Sequence, residues 1–243
     1  MSIWSRSRAG KGTPVLEDAA WICVGSRSWR MPPWLQGVVA GLLVVLGKAT
    51  LGRVSVHRWA RYVIHPAEVP PLRSPAPELT PVTDEIIGQL RRHPDHDQNQ
   101  LRSGLRWWDQ GLRRAYIWIE AEGPLCVQWL VTREDTAKLK SLGEWASMYP
   151  PLPEGRGQVE NLFAFRNTRR PGVGVLFLHG TYQVQRRAGL REVITHIAEE
   201  NTAARSLSER TGWLRYGTVT RFQVGLPGLR GLIVCLHGVG VRS

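Results

Sequence analysis

The stretch FRNTRRPGVGVL, residues 165–176, constrains the fold of this chain more than any other segment. A β-branched and aromatic segment precedes it, and an apolar segment with helical spacing follows it. After that helix, REVITHIAEEN has the pattern of another strand. Two strands joined through one helix lie parallel in a sheet. We therefore predict a parallel pair from residues 158–167 and 191–200, with a ligand bound beyond their carboxyl ends.

The same connection between strand and helix has the composition of an anion site. Gly172 and Gly174 leave backbone N–H groups accessible at the start of the helix, and Arg169 and Arg170 place guanidiniums beside them. The unsatisfied N–H groups and the dipole of a helix N-terminus both attract negative charge. The segment therefore predicts binding of a phosphate or a similar anion.

The elements on either side of this strand-to-helix connection alternate between helix and strand. Helical spacing predicts two short helices in 83–93 and 97–111, and a third in 202–212. Apolar, β-branched segments joined by Glu-Gly-Pro predict a hairpin over 113–134, and two further strands close the chain at 213–224 and 229–239. This order predicts a mixed α/β sheet covered by helices.

The N-terminal third differs from the rest of the chain. The apolar run from Trp34 to Gly47 has fourteen residues, which is too short to span a bilayer as a helix. The segment VHRWARYVI, 56–64, predicts a helix at a membrane surface or packed on the main domain. Six prolines in 65–81 indicate a linker. We predict a basic, partly apolar, helical extension with its linker over 1–72 and a main domain over 73–243.

The net charge of +12 is concentrated near the N-terminus, where residues 1–73 carry ten Lys or Arg and three Asp or Glu. Such a balance favours an anionic partner, whether cofactor phosphates, nucleic acid or lipid head groups. No RNA- or DNA-reading motif accompanies the charge, so nucleic acid is not the expected partner. We expect a cytoplasmic protein whose residues 31–65 either dock on an anionic membrane surface or pack on the main domain.

Metal and hydrolase chemistry are not indicated. Cys23, Cys126 and Cys235 are widely spaced, which favours buried thiols in a reducing compartment. The segment HPDHD, 93–97, brings histidine and aspartate together, but its proline favours a polar loop over a metal site. No serine lies in a nucleophile elbow. We expect no bound metal.

Two motifs occur in the predicted order. The first is R-x-x-G-x-G from Arg169 to Gly174, between a strand and a helix. The second is NTAARSLSERTGW, 201–213, with an asparagine, an alanine and a terminal glycine-aromatic pair. Together they resemble the GNAT superfamily of acyl-CoA-dependent N-acyltransferases. The resemblance covers about residues 78–243. It implies a mostly antiparallel mixed sheet with a splayed parallel strand pair and flanking helices.

The resemblance also implies a co-substrate, acetyl-CoA or another acyl-CoA, and a place for it. The backbone amides of the glycine loop, which is the R-x-x-G-x-G segment from Arg169 to Gly174, would hold its pyrophosphate. One or both arginines would add charge-assisted contacts. Its pantetheine arm would pair with the third strand and meet Asn201 from the other side, although Asn201 also suits a simple helix cap. The implied donor site consists of Phe163, Ala164, Phe165, Arg169, Arg170, Gly172, Val173, Gly174, Val175 and Asn201.

The implied reaction is direct attack of an amine on the thioester, and the acceptor is a small-molecule or peptide amine that the sequence does not identify. Glu160 is the candidate base, and a backbone N–H near Phe163 or Ala164 would bind the oxyanion. Ser208 stands where the family commonly has a tyrosine that protonates the thiolate; Tyr182 or Tyr216 would be substitutes. The family often builds its acceptor pocket at the place of Trp107 and Trp108. The alternative function is acyl-CoA binding without turnover.

Overall fold

A computed structural model describes residues 21–24, 27–49, 54–72, 75–142, 148–149, 152–166, 170–226 and 229–239. The strands are β1 (Trp21–Val24), β2 (Arg27–Arg30), β3 (Val54–Ile64), β4 (Thr80–Pro81), β5 (Ala115–Glu120), β6 (Gly123–Val131), β7 (Arg156–Ala164), β8 (Glu192–Ala198), β9 (Leu214–Leu226) and β10 (Leu229–Val239). The helices are α1 (Pro33–Ala49), α2 (Asp84–Arg92), α3 (Asn99–Asp109), α4 (Thr136–Lys140), α5 (Val173–Arg187) and α6 (Thr202–Arg210). All ten of these strands form one sheet in the order β2-β1-β10-β9-β3-β8-β7-β6-β5-β4.

The parallel pair predicted from the sequence is β7 and β8, which α5 connects. The other strand pairs of the sheet are antiparallel. Pairing between β7 and β8 covers only Arg156–Gln158 against Glu192–Ile194, although both strands continue beyond it. The strands therefore diverge toward their carboxyl ends. The predicted fold class, a mostly antiparallel mixed sheet with one splayed parallel pair, is confirmed.

Helices cover both faces of this sheet. Side chains alternate between the two faces along each strand, so each strand contributes to both cores. On the first side, which we call the α3 face, Leu101, Leu105 and Trp107 of α3 belong to one core cluster with Trp129 and Ile194 of the sheet. On the other side, the α5 face, the helices α5 and α6 pack on a second set of strand residues, which includes Leu130, Val159 and Val193. The two faces are thus separate everywhere that the strands pair.

One glycine sets how closely α3 approaches the sheet. A Cβ at Gly104 would lie 2.4 Å from the Trp129 ring, which is itself fully buried. We expect Gly104→Ala to lower the free energy of unfolding by about 1–3 kcal/mol, because the helix or the ring must move. Gly88→Ala in α2 is the control, since its Cβ would meet nothing closer than an Arg92 nitrogen at 3.8 Å. It should be neutral or stabilise by up to about 1 kcal/mol. Urea unfolding of both variants checks the difference, and equal midpoints would contradict it.

The prediction of a helix over 56–64 is wrong, because this segment is part of strand β3. β3 lies in the interior of the sheet, antiparallel to β8 on one side and β9 on the other. Alternate positions Ala60, Tyr62 and Ile64 are buried in the α5-face core. Arg61 is also buried, with its guanidinium 4.5 Å from the centre of the Tyr216 ring. The sheet therefore contains strands from both sides of the boundary predicted at residue 72.

The apolar run before β3 forms α1, in agreement with the predicted helical extension. Leu43 packs against Phe222, Val234 and Leu236 of the sheet. The opposite side of α1 exposes the large side chains of Trp34, Val38, Leu42 and Val45. Across the part of the chain that the structure describes, no helix has the length and apolar character needed to span a membrane. Docking on a membrane surface stays a prediction, and α1 is the element that it now concerns.

Candidate functional site

A cavity of about 520 Å³ opens where β7 and β8 diverge. Its walls come from both strands, from α3 on one face of the sheet and from α6 on the other. Because paired strands separate the two faces elsewhere, the cavity is a passage through the sheet at the splayed pair. Among the lining residues are four that the sequence singled out: Trp107, Glu160, Asn201 and Ser208.

A β-bulge in β7 shapes the cavity wall. Glu160 pairs with Trp129 and Phe163 pairs with Val127, so that Asn161 and Leu162 of β7 together oppose the single residue 128 of β6. Asn161 has φ +56°, a left-handed conformation that is uncommon outside glycine. A bulge leaves its extra residue outside the regular ladder and re-aims the neighbouring side chains. As a result, both bulge residues line the cavity together with the preceding Glu160.

Glu160 is the centre of a polar cluster in the lining of the cavity. Its Oε1 accepts hydrogen bonds from Gln158 Nε2 at 2.8 Å and from the His196 backbone N–H at 3.2 Å. The same oxygen lies 3.0 Å from Nδ1 of the His196 ring. The side chains of Glu160 and His196 are 11% and 2% exposed. The carboxylate therefore links β7 to β8 just after their backbone pairing ends.

This cluster belongs to the α3 face. Gln158 and Glu160 pair with Val131 and Trp129, whose side chains lie in the core cluster under α3, and paired residues of antiparallel strands share a face. His196 follows Ile194 of the same cluster by two positions. Glu160 is therefore accessible to a molecule that enters from the α3 side of the passage.

Aromatic side chains line the cavity next to Glu160. The Tyr149 ring makes edge contacts with Trp107, centroid to centroid 5.5 Å, and with His196 at 6.0 Å. Burial, and after it the charge of Glu160, raises the pKa of Tyr149 well above its usual value of 10, so its hydroxyl stays protonated. Of the two tryptophans expected near the acceptor, Trp107 lines the cavity, whereas Trp108 donates its indole N–H to Asp84.

The glycine loop lies on the α5 face, and its two glycines have different roles. Gly172 is the N-cap of α5 with φ +88°, and a Cβ there would meet no atom within 4 Å. Gly174 allows α6 to pack closely, since its Cβ would lie 3.0 Å from Leu207 Cδ2. Val173 N–H donates to the Arg170 carbonyl at 3.3 Å. The amides of Gly174 and Val175 belong to the first turn, which has no intrahelical acceptors for them.

Of the two arginines of the motif, the structure describes Arg170. Arg170 is exposed and forms an ion pair of 2.5 Å with Glu120 at the end of β5. Its hydrogen bond with that carboxylate raises the pKa of Arg170 above its usual value. The structure thus places Arg170 against the β5–β6 hairpin, whereas Arg169 lies outside the described residues.

α6 brings Asn201 and Ser208 to the cavity. Asn201 Oδ1 accepts from Ala204 N–H at 3.1 Å and caps the helix, and the residue also lines the cavity, so both roles weighed for it are compatible. Ser208 is 7% exposed. Tyr182, one proposed substitute, is not among the lining residues, and its hydroxyl accepts from Trp213 Nε1 at 2.8 Å. Tyr216 is not among them either.

The backbone segment expected to pair with the pantetheine arm lies next to the cavity lining, which ends on β7 at Leu162. Phe163 and Phe165 have buried side chains in the α3-face core, and Phe165 N–H donates to the Leu125 carbonyl at 3.0 Å. Arg166, the next residue, is held by the HPDHD segment, since Asp95 accepts from its backbone N–H at 2.9 Å. This aspartate is 6% exposed and anchors the start of the glycine loop.

Sequence reasoning missed several members of the site: Tyr149, Asn161, His196 as a partner of Glu160, and the polar residues of α3. The alternation of side chains along β8 was the one available signal for His196. Every second residue of this strand lies on the same face of the sheet, so some of them must share a face with Glu160 of β7. The bulge at Asn161 had no signal in the sequence.

Comparisons with known proteins support this architecture, although no protein-family model matches the chain. A GCN5-related N-acetyltransferase from Sphaerobacter thermophilus is 13% identical with a TM-score of 0.51, over 93% of this chain and 79% of that chain. A GNAT-family acetyltransferase from Colwellia psychrerythraea is 9% identical with a TM-score of 0.51, over 87% and 76%. The chain therefore has the GNAT fold, which confirms the resemblance indicated by the two motifs.

One relative is also similar in sequence. Mycothiol acetyltransferase from Geodermatophilus obscurus is 32% identical over 111 residues, which are 44% of this chain and 34% of that protein. The match thus spans about a third of the length of this curated relative.

Proposed function

We propose that the protein transfers an acyl group from acyl-CoA, with acetyl-CoA as the expected donor, to an amine. The observation that carries the proposal is the passage through the sheet at the splayed strands. It joins a face that bears the glycine loop, Asn201 and Ser208 to a face that bears Glu160. A thioester held on the α5 face would therefore meet an amine that arrives from the α3 face. The acetyltransferases with the same fold support this reaction class.

The donor would be held by backbone rather than by side chains. The first-turn amides of α5 suit a pyrophosphate, because they and the helix dipole favour negative charge and Gly172 leaves open space beside them. The diverging strands leave room for an extended arm to add to the exposed edge of β7. Since Arg170 is paired with Glu120, the amides carry more of this proposed site than the sequence suggested.

Glu160 would remove the proton from the attacking amine. An amine with a pKa near 10.4 is neutral in only about one molecule in a few thousand at pH 7, so a base beside it has a large effect. The new C–N bond forms as the C–S bond breaks, the amine proton passes to the carboxylate, and a donor group returns a proton to the thiolate. A backbone amide at the Asn161–Leu162 bulge would stabilise the oxyanion.

Ser208 is the proposed donor of the proton that the leaving thiolate takes up. We expect Ser208→Ala to lower kcat about tenfold and to leave acetyl-CoA affinity unchanged, because a serine hydroxyl is a weak acid and water replaces it in part. Ser206→Ala is the matched control, since Ser206 lies on the same helix but is exposed. Steady-state kinetics on both variants check this. Equal kcat in the two would remove Ser208 from the mechanism.

The proposal is tested by coenzyme A release from acetyl-CoA against a panel of small amines, alongside calorimetric binding of acetyl-CoA. Binding together with amine-dependent thiol release is the expected result. Binding without release for every amine would favour the alternative, an acyl-CoA-binding protein without turnover. Absence of binding would overturn both functions.

A further inference from the structure

The α3 side of the cavity is positively charged. Arg102 and Arg106 of α3 both line the cavity, and they are four residues apart on one side of the helix, together with Trp107. Arg102 donates to Asn99 Oδ1 at 2.8 Å, and among the described residues neither arginine has a carboxylate within ion-pair distance. Other exposed arginines nearby are paired, such as Arg91 with Asp109 and Arg113 with Asp84.

The charges of the cavity are arranged in two zones. Glu160 is the acidic residue among the described lining residues, and its side chain is 11% exposed and held by Gln158 and His196. The two arginines lie on α3 and are exposed. Neighbouring like charges on one helix repel each other, and a bound anion would relieve that repulsion. A molecule with a positive end toward Glu160 and a negative end toward α3 matches this arrangement.

Buried polar atoms in the same cavity also lack partners. Asn161 Nδ2 and His196 Nε2 are buried, and within the described part of the chain neither atom has a hydrogen-bond partner. Both residues line the cavity. Buried polar groups are nearly always paired, because an unpaired one loses its hydration without compensation. These atoms therefore favour a ligand with several polar groups over an apolar chain.

We propose that the acceptor is a small polar amine that also carries an anionic group, a carboxylate or a phosphate. Arg102 and Arg106 bind that group, since guanidinium matches the geometry of both oxyanions. The unpaired amide and imidazole atoms bind further polar groups, and the amine then faces Glu160. This inference rests on the proposed acyl transfer and adds the substrate class to it.

The test uses pairs of probes that differ in the anionic group: L-alanine and L-alaninamide, L-serine and L-serinamide, O-phosphoethanolamine and ethanolamine, and glucosamine 6-phosphate and glucosamine. Rates are compared per neutral amine, because removal of the anionic group also lowers the pKa of the amine. Coenzyme A release gives kcat/KM for each. We expect at least a tenfold preference for the anionic member in the accepted pair. A preference within the amino-acid pairs identifies a carboxylate, and one within the phosphorylated pairs identifies a phosphate.

Variants connect the preference to α3. Arg102→Gln with Arg106→Gln should raise KM for the anionic probe at least tenfold and leave its neutral partner unchanged. Arg92→Gln, an exposed arginine of α2 that does not line the cavity, is the control. Neutral probes that react as well as anionic ones, or an equal loss for both in the double variant, would overturn the anionic acceptor while acyl transfer stands.

The two proposals fail separately. If acetyl-CoA binds but no probe releases coenzyme A, the enzyme proposal fails, and calorimetric titration of the same probes into the protein–coenzyme A complex decides the substrate class. Binding of an anionic probe that the double variant loses supports the inference. Equal binding of both members of every pair, or none at all, rejects it.

Discussion

Gly172→Glu should reduce acetyl-CoA affinity about 100-fold or more, close to 2.7 kcal/mol in binding free energy, and leave the protein folded. Gly172 caps the N-terminus of α5, and its Cβ position opens onto space with no atom within 4 Å. A carboxylate there would stand where the pyrophosphate is proposed to bind. It would repel the ligand and would itself occupy the favourable field of the helix N-terminus.

Gly189→Glu is the matched control for this variant. Gly189 also has a left-handed backbone, φ +69° against +88° for Gly172, and its Cβ would likewise meet nothing within 4 Å. It follows the opposite end of α5, so both variants share the backbone strain of about 1–2 kcal/mol but only one touches the proposed site. Calorimetric titration with acetyl-CoA, combined with thermal unfolding, separates binding from stability. If Gly172→Glu binds like the control, the donor site lies elsewhere.

Glu160→Gln should lower kcat by about 100- to 1,000-fold at neutral pH and leave acetyl-CoA affinity unchanged. The amide has the size of the carboxylate and keeps an oxygen that accepts the His196 backbone N–H, but it cannot take up the amine proton. The deficit should shrink as pH rises toward the pKa of the acceptor amine, because a larger neutral fraction no longer needs the base. A pH profile of kcat in both proteins measures this.

His196→Asn separates proton transfer from structure in this cluster. The ring of His196 contacts Glu160 Oε1 at 3.0 Å, so its removal disturbs the same link between β7 and β8 but leaves the carboxylate in place. We expect kcat to fall by less than about tenfold, with no recovery at high pH, whereas loss of the Nε2 contact proposed for the acceptor would raise KM. Losses of the same size in both variants would mean that the link between the strands, rather than a base, is what the reaction requires.

Much of the fold could be predicted because the relevant interactions are local. The helix from Asp84 to Arg92 was predicted from its helical spacing, and Thr83 caps it, since its Oγ1 accepts the Ile86 N–H at 3.4 Å. The parallel pair followed from the helix between its strands. β3 was missed, since its mixed aromatic and arginine pattern suits a surface helix equally well. Its partners β8 and β9 are more than 120 residues away and decided its conformation.

The same contrast between local and long-range interactions applies to the residues of the candidate site. Gly172, Glu160 and Ser208 were proposed as site residues from the sequence, because each lies in a motif or strand that a short segment defines, and the fold brings the last two to one cavity. What surrounds them depended on tertiary structure. One extra residue at Asn161 changed which part of β7 lines the cavity, and the ion pair with Glu120 holds the Arg170 side chain against the β5–β6 hairpin. Bulges and ion pairs between distant elements depend on how whole strands align, and that alignment is decided by burial on both strands together, which joins residues far apart in the sequence.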